Sequence, residues 1–571
     1  MSRSFDEEEL ETIVKRFDAV EWDKLLLTFK FDEVEEKMCD GEMGCFYNFY
    51  KDPSIWFTPL VIQFMRAALN ADKDLAKETI KKTEQAIETI KSRKWWSDKD
   101  DNEITVGSFL AKKWTEKDIY SINKCTITID DEKTANFSAR ALAVTSELYS
   151  LIALLQMISG SYMKGAYNLR KAWKSYENLH NLNEFIQNSD NNDLTILDDE
   201  AYMSHFLLGY GCFHFFWSLV PKSFQWIIKI LGFTGDRDAG IHELYQCLNL
   251  GQRRASFAGL ILLWIESFFY EDFSKGEQLF LQLTEKYENA SLYYYLGGYL
   301  SRVQGNIDKA LERFTMSYEM NDQFPEMENI CKYEIGWWEY LKNDYETAKN
   351  LFEEFLEKHT SNTYKAWCYW QLGYCYFFLD QEDKAFECMQ NVKTYKRKHY
   401  SWDEYWYRKS SEFIKNIPLL EMELNKIYNL IKCRKLKKAK KFLKDAEKEH
   451  DTTADPNNLA YVKYLWAKIA FYNDDREEAR RYYEEIEDMQ KEIKLEKYLV
   501  PYSKYRLLLL RIKDMESYDD DSHRVAQEDL DYIVKIVKEI NKMSGYDFEK
   551  PLVRKIERVK DYFKEAYGVK F

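Results

Sequence analysis

The stretch ASLYYYLGGYLSRVQGNIDKALERFTMSYEM, residues 290–320, decides the fold. It carries a glycine, Gly298, inside a tyrosine-rich helical pattern, a small residue twelve positions later, Ala310, and a bulky one four beyond that, Phe314. The small-then-bulky pair returns at Gly276/Phe280, Ala348/Phe352 and Ala385/Met389, at intervals of 34, 38 and 37 residues. Gly336 and Gly373 stand twelve residues before the last two alanines, as Gly298 stands before Ala310. Two helices approach closely only where side chains are small, and a bulky residue one turn past the crossing fills the remaining space. A glycine in a helix costs roughly 1 kcal/mol of propensity, so packing must offset it.

That interval is close to the tetratricopeptide period of about 34 residues, so the reading is an all-α solenoid of helical hairpins between Phe257 and Val392. Fainter copies lie at Ala439/Leu443 and at Ala479/Tyr483, the latter with Ala467 twelve residues upstream. Ala76/Ile80 and Val34/Met38 are read as degenerate repeats in the N-terminal half. Residues 135–182 predict two long helices, and residues 201–250 apolar helices broken at Pro221 and at a Gly232/Gly235 turn, with Asp236 or Asp238 capping the next helix. Loops are expected at 97–108, 126–134, 187–200 and 516–522. The expected organisation is a helical region with degenerate repeats over 1–134, a further helical segment over 135–256, tetratricopeptide-like repeats over 257–415 and C-terminal helical repeats over 416–571.

Only 20 glycines and 8 prolines punctuate 571 residues, and 45% hydrophobic content supplies a core. A net charge of −15 argues against nucleic acid as a partner of the whole chain. The N-terminal MSRSFDEEELETIVKRF has neither a signal-peptide nor a transit-peptide pattern, so a cytoplasmic setting is expected. Ten cysteines lie scattered without a CxxC pair and read as reduced core residues. The most apolar stretches, near 213–233 and 257–270, are interrupted by polar residues, so no membrane span is expected.

Beyond the repeat positions, the sequence resembles the tetratricopeptide-repeat protein 39 family and the related fungal inclusion-body clearance proteins over roughly residues 20–415. The resemblance rests on SYMKGAYNLRKAWKSY (161–176), GYGCFHFFWSLVPKSFQWIIKILGFTGDRDAG (209–240), RRASFAGLILL (253–263) and ASLYYYLGGYLSRVQGNIDKA (290–310), with Pro221, Gly232, Phe233, Gly235, Arg237, Asp238 and Gly240 at fixed offsets. It implies a cytoplasmic helical-repeat protein without known enzymatic chemistry. Its relatives are associated with lipid regulation in animals and with lipid-droplet-dependent aggregate clearance in fungi.

Setting each repeat glycine at position 8 of its first helix projects positions 2, 5, 9 and 12 onto the groove. The partner-facing candidates are Leu292, Tyr295, Tyr299 and Arg302, then Ile330, Tyr333, Trp337 and Tyr340, then Trp367, Trp370, Tyr374 and Phe377. Such a surface lacks the Lys, Arg and Asn set that clamps a peptide carboxylate. It suits a partner's peptide or helix, unless the chain's own helices fill it. Lipid is the competing partner, through the apolar 206–233 segment or the basic segment KIYNLIKCRKLKKAKKFLKDAEK (426–448), read as one helix; droplets or membranes are then a partial location. Otherwise these segments are solenoid core and the solvated face of a repeat helix. No catalytic residue, metal set or cofactor motif emerges: Cys212/His214 and Cys368/Cys375 miss zinc spacing, the run from Asp190 lacks calcium ligands, and no nucleophile elbow or phosphate loop occurs. The expectation is a non-enzymatic scaffold.

Overall fold

The computed structural model describes residues 57–516 and 526–571, apart from 71–72, 93–102, 106–125, 129–131, 189–199, 220–234, 253, 271, 321–324, 360–361 and 398–399. The Val34/Met38 unit, Pro221, Gly232 and the Asp190 run lie outside the described residues. The elements are helices α1 (Phe57–Asn70), α2 (Lys73–Ser92), α3 (Glu132–Ile158), α4 (Tyr162–Asn188), α5 (Glu200–Ser218), α6 (Arg237–Leu250), α7 (Ala255–Trp264), α8 (Phe273–Lys286), α9 (Ser291–Gln304), α10 (Ile307–Glu319) and α11 (Pro325–Lys342). They continue with α12 (Tyr345–Lys358), α13 (Lys365–Phe378), α14 (Glu382–Tyr395), α15 (Ser401–Lys415), α16 (Leu419–Lys432), α17 (Leu436–Glu449), α18 (Pro456–Tyr472), α19 (Arg476–Asp488), α20 (Leu499–Glu516), α21 (Gln527–Asn541) and α22 (Glu549–Tyr567). Two expected loops instead contribute a short parallel strand pair, Glu103–Thr105 with Thr126–Thr128, and α3 begins at Glu132, inside the second of them.

The chain forms two compact units, Met1–Gln304 with Lys309–Cys331, and Gly305–Asp308 with Lys332–Phe571. In the first, the core gathers Val144 and Leu148 from α3, Trp173 and Tyr176 from α4, Phe213 and Phe215 from α5, Leu244 from α6 and Leu262 from α7. The Cβ of an alanine at Gly240 would stand 2.7 Å from the Gly211 carbonyl, so α5 and α6 meet backbone to backbone. Asp236 caps α6 by accepting the Ala239 N–H. Among the described residues one window, Ala141–Ile158, is long and apolar enough to cross a membrane, but 72% of it is buried inside the fold. Its one acid, Glu147, receives Arg254 Nε at 2.9 Å and lies 2.9 Å from His205 Nδ1. A carboxylate so deep survives as an ion only with such partners.

Ten of the repeat anchors, Ala310, Phe314, Ala348, Phe352, Ala385, Met389, Ala439, Leu443, Ala479 and Tyr483, show no exposed surface, while Ile80 of the degenerate Ala76/Ile80 pair is half-buried. The glycines explain themselves through the same side chains. A Cβ on Gly298 would meet the Phe314 ring at 2.8 Å, one on Gly336 the Phe352 ring at 3.1 Å, and one on Gly373 the Met389 methyl at 2.7 Å. The hairpin turns share one device, a left-handed residue five positions before each anchor: Gly305, Asn343, Asp380, Arg434 and Asp474. Asn and Asp tolerate that conformation by local hydrogen bonding, glycine by lacking a Cβ. Asp344 and Asp475, one residue on, then cap the second helix through the N–H groups of Thr347 and Glu478.

Arg434 also corrects the 426–448 expectation. Its φ of 53° ends α16 and starts a new hairpin arm, so the basic segment is two antiparallel helices and not one. Of the apolar 206–233 segment, the described part is core at Phe206, Phe213 and Phe215, with Phe216 exposed at its edge.

Candidate functional site

In the first unit, α9 presents Tyr295 and Tyr299 one turn apart, their rings edge to face at 5.0 Å and their hydroxyls 3.1 Å apart. Phe314 closes beneath both, and the Arg302 guanidinium stacks 4.0 Å over Tyr299. All three candidates are half-buried, as is Leu292.

In the second unit the first-helix aromatics are covered more deeply. Tyr333 is buried against Phe355 and Tyr364, and its hydroxyl donates to Gln371 Oε1. Tyr340 is buried too, its hydroxyl accepting the Asn425 amide of α16 at 3.1 Å. The α13 face receives α15 in register. Trp402 packs on Trp367 at 5.8 Å, Trp406 on Trp370 at 4.0 Å, and Phe413 on Phe377 and Tyr374 at 5.8 and 6.3 Å. The Trp367 indole donates to Asp403, which Arg397 grips through Nε and Nη2. Tyr333, Tyr340, Trp370 and Tyr374 are therefore walls filled by the chain itself, while Trp337, Trp367 and Phe377 stay half-buried.

Sequence reasoning did not single out α15 as that occupant. Its signal was present, since aromatics at 402, 406 and 413 share one helical face. Nor did it find Lys468, a lysine inside the apolar run AYVKYLWAKIAFY of α18.

The seven described cysteines form no disulfide, and all but Cys212 are buried. Burial pushes the Cys212 and Cys388 thiols up to about 12, the protonated and unreactive form. Glu423, Glu449 and His450 bring ligand atoms within 4.8 Å of one another, an approach that the His450–Glu423 pair at 3.1 Å accounts for.

Antiparallel hairpins with small-to-bulky crossings and a common turn define a tetratricopeptide-like helical-repeat protein. Within that class the match is particular: the profile of the Iml2/Tetratricopeptide repeat protein 39 family covers residues 56–499, and the chain belongs to that family. The match reaches into α20, past the point where the resemblance was expected to end. Among solved structures, the crystal structure of yeast Tom70 aligns over 91% of this chain and 99% of that one, at 12% identity and a TM-score of 0.29.

Proposed function

We propose that the protein is a cytoplasmic, non-enzymatic interaction scaffold that holds a helical partner segment on the first-helix face of its hairpins, at Tyr295, Tyr299 and Arg302. One observation carries the reading. The equivalent face of α13 accepts a helix, α15, through aromatics spaced at i and i+4, which is the ligand type the repeated geometry suits. In the second unit Trp367 and Phe377, half-buried beside that helix, and Trp337 on α11 offer the same kind of side chain. Tyr and Trp are the side chains that usually anchor such contacts, and Arg302 adds a fixed positive charge at the edge of the α9 face.

The test is capture from cell extract by the wild-type chain and by a Tyr295→Ala/Tyr299→Ala/Arg302→Ala variant, with circular dichroism as the folding control. Loss of a specific partner in the variant, with helicity retained, supports the reading. Identical capture by both proteins overturns it.

A further inference from the structure

Lys468 lies buried on α18, and its ammonium makes no ion pair with a carboxylate among the described residues. Its Nζ faces three phenol rings, 5.2 Å from the centroid of Tyr464, 5.4 Å from Tyr428 and 5.8 Å from Tyr472. Two of those rings carry a second cation. The Lys432 ammonium stands 5.5 Å from Tyr428, and the Arg434 guanidinium 3.6 Å from Tyr472. Arg506 reaches in from α20, its guanidinium 5.0 Å from Phe471, the neighbour of Tyr472. Four cations thus converge from the first helices of three successive hairpins and from one turn, and none of the four makes an ion pair among the described residues.

Burial alone is costly for such a group. An ammonium withdrawn from water needs a counter-charge, and cation–ring attraction of about 0.5–2 kcal/mol does not replace one. Burial, with Arg506 and Lys432 nearby, holds the Lys468 ammonium below its usual range. Burial opposes ionisation of Tyr472 as well, yet Lys468, Arg506, Arg434 and Lys432 pull its phenol down to about 7. No carboxylate ranks among the main charges acting on either group. The field at this point asks for negative charge.

Two further features agree. The Tyr483 hydroxyl, on which Arg506 and Tyr472 act, is buried without a hydrogen-bond partner among the described residues. Arg434 is held left-handed where the other four turns place Gly, Asn or Asp, a position at which a bulky residue is strained. Strain there keeps a cation at the exposed rim, beside Lys432, above a floor of Lys468 and Arg506.

We propose that this face of the second unit binds a small phosphate-bearing anion, with Lys468 and Arg506 as its floor and Lys432 and Arg434 as its rim. A carboxylate would bring a single charge and two oxygens. A phosphate monoester brings close to two charges and three strong acceptors, the better match to four cations and the surrounding phenols.

Isothermal titration of the full chain with inorganic pyrophosphate tests this. Saturable binding is expected, weakened about tenfold in Lys468→Met and severalfold in Arg434→Gln, whose exposed side chain leaves folding intact. A spectroscopic signature accompanies it: just above pH 7 the wild type shows a tyrosinate absorbance, absent in Tyr472→Phe, which pyrophosphate suppresses because the bound anion reprotonates Tyr472. Parallel titrations with soluble inositol trisphosphate and with vesicles carrying phosphatidylinositol bisphosphate separate a free phosphate from a lipid headgroup, binding in either arm being support. Absence of pyrophosphate binding, equal binding by a folded Lys468→Met variant, a tyrosinate band that pyrophosphate leaves unchanged, or capture of a phosphopeptide alone overturns the proposal.

Discussion

The Trp406 indole of α15 lies on the Trp370 indole of α13 with ring centroids 4.0 Å apart. The Trp370 Nε1 is buried and makes no hydrogen bond among the described residues, so this contact is made of ring surface alone. Trp406→Ala removes that cover. The expected loss is roughly 2 kcal/mol, below the 3–5 kcal/mol of a fully buried aromatic because Trp406 is half-buried. Chemical denaturation gives the loss, and a red shift in tryptophan emission reports the wetted Trp370.

Gly298→Ala tests the hairpin crossing. The added methyl meets the Phe314 ring at 2.8 Å, an overpacking that costs about 1–3 kcal/mol against roughly 1 kcal/mol gained in helix propensity. A lowered melting temperature is expected. Gly298→Ala/Phe314→Leu should recover part of it, and independent, additive effects would show that the two residues are not in contact.

Glu147→Ala strands Arg254 and His205 in the core of the first unit. A loss of roughly 3–5 kcal/mol is expected, with Glu147→Gln intermediate. Burial raises the Glu147 carboxyl, but Arg254 and His205 outweigh it and leave it below the ordinary 4.5. The stability it supplies is therefore present above 4.5 and lost as pH falls through the lower folded value. Melting temperatures of wild type and Glu147→Gln should converge in acid.

His359, at the end of α12, titrates with the opposite chemistry. Burial and then Lys365 lower it from 6.5 to about 4, so the folded chain keeps it neutral where the unfolded chain protonates it. Its contribution is complete above 6.5 and declines as pH falls from there to about 4. His359→Gln should flatten that part of the stability profile, as followed by thermal melts across the window.

How far the sequence carries this account depends on distance along the chain. The anchors and glycines were legible because both members of each crossing sit in one hairpin, sixteen residues apart for Gly298 and Phe314. Asp236 was legible as a cap because its signal is local. The identity of α15 as the filler of the α13 face was not, since Trp406 and Phe413 could equally have faced solvent and only packing chose otherwise. The break in 426–448 is hidden in the sequence for another reason. No glycine or proline marks Arg434, and lysine-rich helix formers on either side disguise the turn.

The ion group at Glu147 also bears on how the first unit is made. Its two partners on the chain lie 58 and 107 residues downstream. At translation rates of about 5–20 residues per second, the glutamate leaves the ribosome roughly 5–20 s before Arg254. Until then α3 offers a long greasy surface with an uncompensated acid at its centre. The nascent chain thus has a defined interval in which this long apolar helix is complete but its acid lacks both partners, and that interval is when a chaperone would find it.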